Sequence, residues 1–201
     1  MGAWMWFKIA FGVAFLFAVT VAARTATLAG KTHGGTMNHL SHEVRGLLAV
    51  RAALGMVFYA SLVAWIIWPR SLSWMYLAIP ITLRWIAVGL LIPTLILFAT
   101  SFRALGANYR GGVGLYPNHV LVTTGPYRLI RHPIYLAFIA IMCLVFVLSA
   151  NWLLGLSGLL LVSSIAIARI PVEERELNER FGMSWQSYSE QTGKIFPRVR
   201  R

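Results

Sequence analysis

The sequence predicts an all-α, polytopic membrane protein of five transmembrane helices, with a tight hairpin of the fourth and fifth and short cytoplasmic helices after them. Three observations predict it. Of 201 residues, 58% are hydrophobic and only 12% charged, a balance outside the range of soluble domains. Five apolar runs have the length that a helix needs to cross a bilayer core, roughly 17 to 25 residues. Lys and Arg gather between alternate runs, the pattern that fixes orientation in a membrane.

The runs extend from Ala3 to Ala23, Gly46 to Trp68, Ile79 to Thr100, Pro133 to Ser149 and Trp152 to Ile170. The first is longer than the core of a secretory signal and shows no convincing cleavage site, so it reads as a span. Three Lys or Arg lie between Arg24 and Arg45, four between Ser101 and His132, and seven from Arg169 onward. The intervening connections hold almost none: Arg70 in one, nothing at Ala150 and Asn151, and Lys8 inside the first run. Five spans with the amino terminus outside and the carboxyl terminus cytoplasmic satisfy every loop. Residues 1–201 then form one membrane domain, with three amino-terminal spans in 1–100 and a loop, hairpin and tail in 101–201.

The net charge of +12 comes from 15 Arg and 3 Lys against six Glu and no Asp. In a soluble chain it would suggest nucleic acid, but no aromatic-interleaved polar surface accompanies it, and membrane orientation explains it. One cysteine, Cys143, lies in an apolar run beside Leu144, Val145 and Phe146. A disulfide framework within the chain is excluded, and buried packing is expected rather than a nucleophile.

Ala150 and Asn151 alone join the last two spans, which predicts a tight antiparallel hairpin. Gly155, Gly158, Ser163, Ser164, Ala166 and Ala168 allow close backbone approach along its second arm. Residues near 132 should therefore meet residues near 173. After Pro171 the sequence EERELNERFG is the one acidic cluster. It reads as a separate short surface helix, with Pro171 in its first turn, a Glu176/Arg180 pair one turn apart and Gly182 as terminator. A second short helix is expected over Trp185 to Glu190.

The chemistry-bearing stretch is GPYRLIRHPIYLA, Gly125 to Ala137, together with Glu173 and Glu174. His132 precedes Pro133 at a helix start, where unpaired N–H groups suit a carboxylate or phosphate. Arg128 and Arg131 reinforce that, and the hairpin brings in two carboxylates able to accept from hydroxyls or an amino group. A purely structural account, with orientation-setting cations, a helix cap and solvated ion pairs, stands beside it.

GPYRLIRHPIY, the Glu-Glu pair one span later and FGMSWQSYSEQTGKIFP closely resemble the carboxyl-terminal region of the isoprenylcysteine carboxyl methyltransferase family, itself similar to phospholipid N-methyltransferases. The resemblance covers roughly residues 105 to 198. It implies an S-adenosylmethionine site on the cytoplasmic face. Arg131, His132, Pro133 and Tyr135 match the Arg-His-Pro-x-Tyr motif, Glu173 and Glu174 the paired acids, and Tyr127, Tyr188 and Pro197 a weaker flanking pattern. By that resemblance Tyr127, Arg131, His132, Pro133, Tyr135, Glu173, Glu174 and Tyr188 bind the cofactor, and Arg131 and Glu174 are the catalytic candidates. Ala137 departs from a frequent glycine, and Gly112-Val113-Gly114 matches the phospholipid enzymes only weakly.

Other features read as structural. His33, His39 and His42 beside Glu43 lie in a Gly-containing loop and make a poor metal site. Arg51 and Arg84 are each about five residues from a span end, roughly 8 Å, within snorkelling reach, with Arg51 also a modest candidate for an acceptor headgroup. Trp4, Trp6, Trp65, Trp68, Trp74 and Trp152 suit interfacial anchoring. The expected partners are membrane lipids and a lipophilic or membrane-partitioned acceptor such as a prenylcysteine carboxylate. A phospholipid amine or small thiol is the alternative acceptor. An NADPH-dependent sterol reductase and a lipid-binding scaffold are the competing classes.

Overall fold

The computed structural model describes residues 2–33, 45–67, 73–110 and 115–198. Six α-helices lie in these stretches: α1 (Ala3–His33), α2 (Arg45–Ile67), α3 (Ile81–Leu105), α4 (Pro133–Ser149), α5 (Trp152–Phe181) and α6 (Met183–Gln191). No β-strand occurs among the described residues, where only two isolated bridges pair extended segments. Helices α1, α2, α3 and α5 are long and apolar enough to cross a membrane, whereas α4 is an apolar helix of 17 residues. A multi-pass integral membrane protein follows.

Contacts gather the chain into two compact units: Met1–Phe17 with Glu43–Leu95 and Phe138–Ile165, and Ala18–His42 with Ile96–Ala137 and Ala166–Arg201. In the first, Phe7, Phe58, Trp65, Leu148 and Leu154 are buried. Two of its glycines lie at close approaches. A Cβ added to Gly155 would lie 1.9 Å from the Phe146 ring, and one on Gly158 2.8 Å from Met142 Sδ and from the Phe58 ring. Ala150, in the connection between α4 and α5, takes a left-handed φ of 51°. The strain is held by hydrogen bonds on both sides, from Ala150 N–H to the Phe146 carbonyl and from Leu77 N–H to the Ala150 carbonyl. Asn151 then starts α5 by accepting the Leu154 N–H on its side-chain oxygen at 3.0 Å.

Several expectations need correction. Helix α5 does not stop at Pro171 but passes through it to Phe181, so EERELNERF is its last part and not a separate helix. Proline removes one backbone donor, while the Glu, Arg and Leu that follow favour helix and their carboxylates are anchored elsewhere in the same unit. Gly182, at φ +50°, ends α5, and α6 follows at once. Arg180 donates to the Pro117 carbonyl instead of pairing with Glu176.

Arg84 does not snorkel. It is buried, donates through Nε and Nη2 to the Leu148 carbonyl at 2.9 and 2.8 Å, and lies over the rings of Trp4 and Phe7. That carbonyl belongs to the last turn of α4, where orphan acceptors and partial negative charge draw a cation inward. Arg51 likewise reaches protein, donating to the Ser164 carbonyl at 3.2 Å. Trp65 is 1% exposed against Phe11 and Lys8, a core residue and not an interfacial anchor. Cys143 is exposed, not packed inside. A thiol behaves as a small hydrophobe and sits without cost on an apolar helix face. The expectations for His39, His42, Glu43, Trp68, Arg70 and Gly112-Val113-Gly114, and for the His33 side chain, lie outside the described residues.

Candidate active site

The site is built on one short turn and the two helix segments it serves, all within the second unit. Gly125 adopts φ +60° with Ala104 at 3.4 Å from where a Cβ would stand, so the chain turns sharply at the Thr124–Gly125 step. Pro126 fixes the next φ, and its carbonyl accepts the N–H groups of Leu129 and Ile130 at 3.1 and 3.2 Å. Tyr127 is buried by this turn. Arg131 and His132 are thereby delivered to the start of α4, where the His132 carbonyl accepts the Leu136 N–H.

The tail then closes on this segment. Gly193 N–H donates to the Leu129 carbonyl at 3.2 Å, and the N–H groups of Arg131 and His132 donate to the Gly193 and Lys194 carbonyls at 2.8 and 3.0 Å. The amides of residues 131 and 132 are thus occupied by the protein's own backbone rather than left for an anion. Arg131 adds a side-chain tie. Its Nη1 donates to the carbonyls of Ser189 and Thr192 at 2.7 and 2.6 Å, and its Nε to Glu174 Oε1 at 3.0 Å. Tyr188 in α6 donates its hydroxyl to the Tyr127 carbonyl at 2.7 Å.

Residues near 132 and near 173 meet. His132, 5% exposed, lies between the two glutamates, with Nε2 3.2 Å from Glu174 Oε1 and Nδ1 3.6 Å from Glu173 Oε2. Tyr135 donates to Glu173 Oε1 at 2.6 Å. Lys194 Nζ lies 2.9 Å from Glu174 Oε2.

The two adjacent carboxylates therefore differ electrostatically, both lying beyond the apolar run that ends at Ile170. For Glu174, burial favours the neutral acid, but hydrogen bonds from His132, Lys194 and Arg131 outweigh it and hold the carboxyl down at about 2. For Glu173, burial dominates and raises the carboxyl above its usual range, against the Tyr135 hydrogen bond and the pull of His132 and Arg169. Glu176, one turn on, adds a like charge to Glu173 and has a buried Oε2 without a hydrogen-bond partner. Burial also raises Tyr188, to about 12, and carries Tyr127 well above the ordinary range. Glu174 is thus a saturated anion, while Glu173 and Glu176 keep acceptor capacity for hydroxyl or ammonium groups.

Of the residues singled out from the sequence, Arg131, His132, Tyr135, Glu173 and Glu174 converge in direct contact, and Tyr127 and Tyr188 join through their own hydrogen bond. Pro133 is buried at the head of α4. Pro197 and Arg128 are exposed. Sequence reasoning missed Lys194, Arg169 and Tyr109, the last half-buried and in the field of Arg169 and Glu173. It also missed the Ser189 and Thr192 carbonyls. Lys194 had one available signal, the Gly193 beside it, which marks a close backbone approach. Among the described residues no group of three or more His, Cys, Asp or Glu is arranged to hold a metal ion.

Over 82 residues the chain is 35% identical to Protein-S-isoprenylcysteine O-methyltransferase A of Arabidopsis thaliana, covering 41% of this chain and 42% of that protein. It superposes with TM-score 0.60 on the eukaryotic intramembrane Ras methyltransferase ICMT solved without a monobody, at 20% identity. That likeness covers 94% of this chain and 66% of the solved one, and establishes the fold. The chain thus spans less than half of the plant relative and about two thirds of the solved structure. Residues 86–179 match the profile described as the Isoprenylcysteine carboxyl methyltransferase (ICMT) family. This segment, just under half of the chain, holds the Arg-His-Pro-x-Tyr stretch and both glutamates.

Proposed function

We propose that this chain is a membrane-embedded methyltransferase that moves a methyl group from S-adenosylmethionine to the carboxylate of an isoprenylcysteine. The observation that carries the reading is the convergence of Arg131, His132, Tyr135, Glu173 and Glu174 inside the family segment. Five spans, with the amino terminus outside and the carboxyl terminus cytoplasmic, are part of the proposal. They put the cofactor residues on the face where S-adenosylmethionine is made available.

The donor set suits that cofactor. It carries hydroxyls and an ammonium group, for which Glu173 and the unpartnered Glu176 Oε2 are acceptors, and a carboxylate, for which Lys194 is the cation and the His132 imidazole a neighbouring polar group. When bound, it supplies an electrophilic methyl group on a sulfonium. The protein's share is position and exclusion of water. Tyr135 fixes the Glu173 carboxylate, Tyr127, Pro133 and Tyr188 wall the turn, and His132 holds the two acids apart. Arg131 is fixed by three hydrogen bonds and gives a carboxylate acceptor a cation to face, and Glu174 keeps it there. A carboxylate acceptor is already ionised, so the transfer needs no base: its oxygen forms the new bond to carbon as the sulfur–carbon bond breaks.

The test uses the full chain in lipid nanodiscs. Calorimetric titration is expected to show binding of S-adenosylmethionine and none of NADPH. Radiolabelled methyl transfer is expected to an S-prenylated cysteine with a free carboxylate, and not to the same compound as its methyl ester, to phosphatidylethanolamine or to a small thiol. Transfer to an amine or thiol but not to the prenylcysteine would overturn the acceptor, and binding of NADPH alone would overturn the class.

A further inference from the structure

Helix α4 begins at Pro133, and none of its 17 residues is charged. With α4 as one of the five proposed spans, on which this inference rests, the residues directly before it lie where hydrocarbon gives way to lipid headgroups. The tail is tied to that point by the three backbone hydrogen bonds between Leu129–His132 and Gly193–Lys194. Beyond them the chain folds back on itself: a Cβ at Gly193 would stand 1.7 Å from the Phe196 carbonyl oxygen. Phe196 is thus kept beside the junction and at its depth.

Two large apolar side chains project there, Leu129 at 61% exposure and Phe196 at 72%. Arg128 and Arg198 flank them, both exposed. Among the described residues neither cation has a carboxylate within ion-pair distance, since Arg198 donates to the Glu190 backbone carbonyl. An aliphatic and an aromatic side chain beside cations without anionic partners match an interface rich in negative headgroups. We propose that this junction is a membrane-contacting surface, in which Leu129 and Phe196 enter the interfacial layer and Arg128 and Arg198 meet anionic lipid headgroups. It would hold the tail, and with it Lys194, against the bilayer, and it does not depend on which reaction the site performs.

The test places a nitroxide spin label at Phe196→Cys, Leu129→Cys or Ser187→Cys in a full-length Cys143→Ala background, because Cys143 is itself exposed. The labelled chains are reconstituted in nanodiscs of phosphatidylcholine, with or without phosphatidylglycerol. Collision rates are measured with oxygen, which concentrates in the bilayer, and with a neutral nickel chelate, which stays in water. At 129 and 196 oxygen is expected to dominate, and nickel at exposed Ser187 on α6. The oxygen preference should rise with phosphatidylglycerol and lose that dependence in Arg128→Gln/Arg198→Gln. Nickel dominance at both junction positions would overturn the insertion. Low collision with both reagents would mean that protein, such as a second copy, covers the surface, and would overturn it too. An oxygen preference indifferent to phosphatidylglycerol would overturn the headgroup contact.

Discussion

Arg131 and Arg84 are both turned into protein, each in a different compact unit, and they are satisfied in opposite ways. Arg84 faces only neutral partners, the Leu148 carbonyl and the faces of Trp4 and Phe7, with ring centroids 4.2 and 4.0 Å away. Arg131 faces a carboxylate that also serves His132 and Lys194. A cation on a helix-end carbonyl and π faces is a clamp, whose value lies in geometry and which offers nothing titratable. A cation in a network of acids is charge that has been positioned. Five of the six glutamates fall between 173 and 190, so only the second unit could build such a network.

The largest expected effect that tests this contrast is Glu174→Ala. It removes the carboxylate that Arg131, His132 and Lys194 share, at a cost of about 3–5 kcal/mol, read as a lower melting temperature together with loss of S-adenosylmethionine affinity. Acid should mimic part of it. The folded pKa lies below the unfolded one, so Glu174 contributes stability that is full above about pH 4.3 and is lost as pH falls toward 2. A wild-type chain whose stability is flat over that window, or indistinguishable from Glu174→Ala, would break the assignment.

Gly155→Ala comes next. With Phe146 1.9 Å from the new methyl carbon, overpacking of about 1–3 kcal/mol is expected, with cofactor affinity of the folded protein unchanged. Arg84→Met should lower stability by about 2 kcal/mol, the scale of hydrogen bonds from a charged donor, and likewise spare cofactor affinity. Weakened S-adenosylmethionine binding in the well-folded fraction of either variant would blur the distinction between the units.

The smallest stability effect, and the sharpest contrast, is expected for Glu173→Gln. Burial already works against this carboxylate's charge, so the neutral amide should leave the melting temperature equal or slightly higher. S-adenosylmethionine binding should weaken about tenfold, the scale of one hydrogen bond to a charged acceptor. Unchanged affinity would remove Glu173 from the cofactor residues.

The comparison also shows which features could be read beforehand. Apolar runs and close-packing glycines are local signals, so the helices and the approach at Gly155 and Gly158 were legible. The meeting of His132 with Glu173 and Glu174 was legible because two residues, Ala150 and Asn151, leave α4 and α5 little alternative to folding back. The inward turn of Arg84 was not legible. Its distance from the span end permits snorkelling equally well, and the deciding carbonyl, on Leu148, is 64 residues away. Pro171 misled for a related reason, since a local helix-breaking signal competed with long-range anchoring of the carboxylates that follow it.

By itself the sequence determined the membrane class, the helical fold and the residue types at the candidate site, because hydropathy, Lys and Arg placement and motif spacing are properties of the chain. Only the tertiary structure decided how those residues divide their roles. The Gly193–Lys194 backbone, arriving from some 60 residues downstream, occupies the amides of residues 131 and 132, and Lys194 joins Arg131 and His132 on one acid. Glu174 is thereby fixed as a charged strut and Glu173 left as the carboxylate with capacity to spare. Two identical side chains, adjacent in sequence, are shifted in opposite directions because charge, unlike helix propensity, depends on everything packed around it.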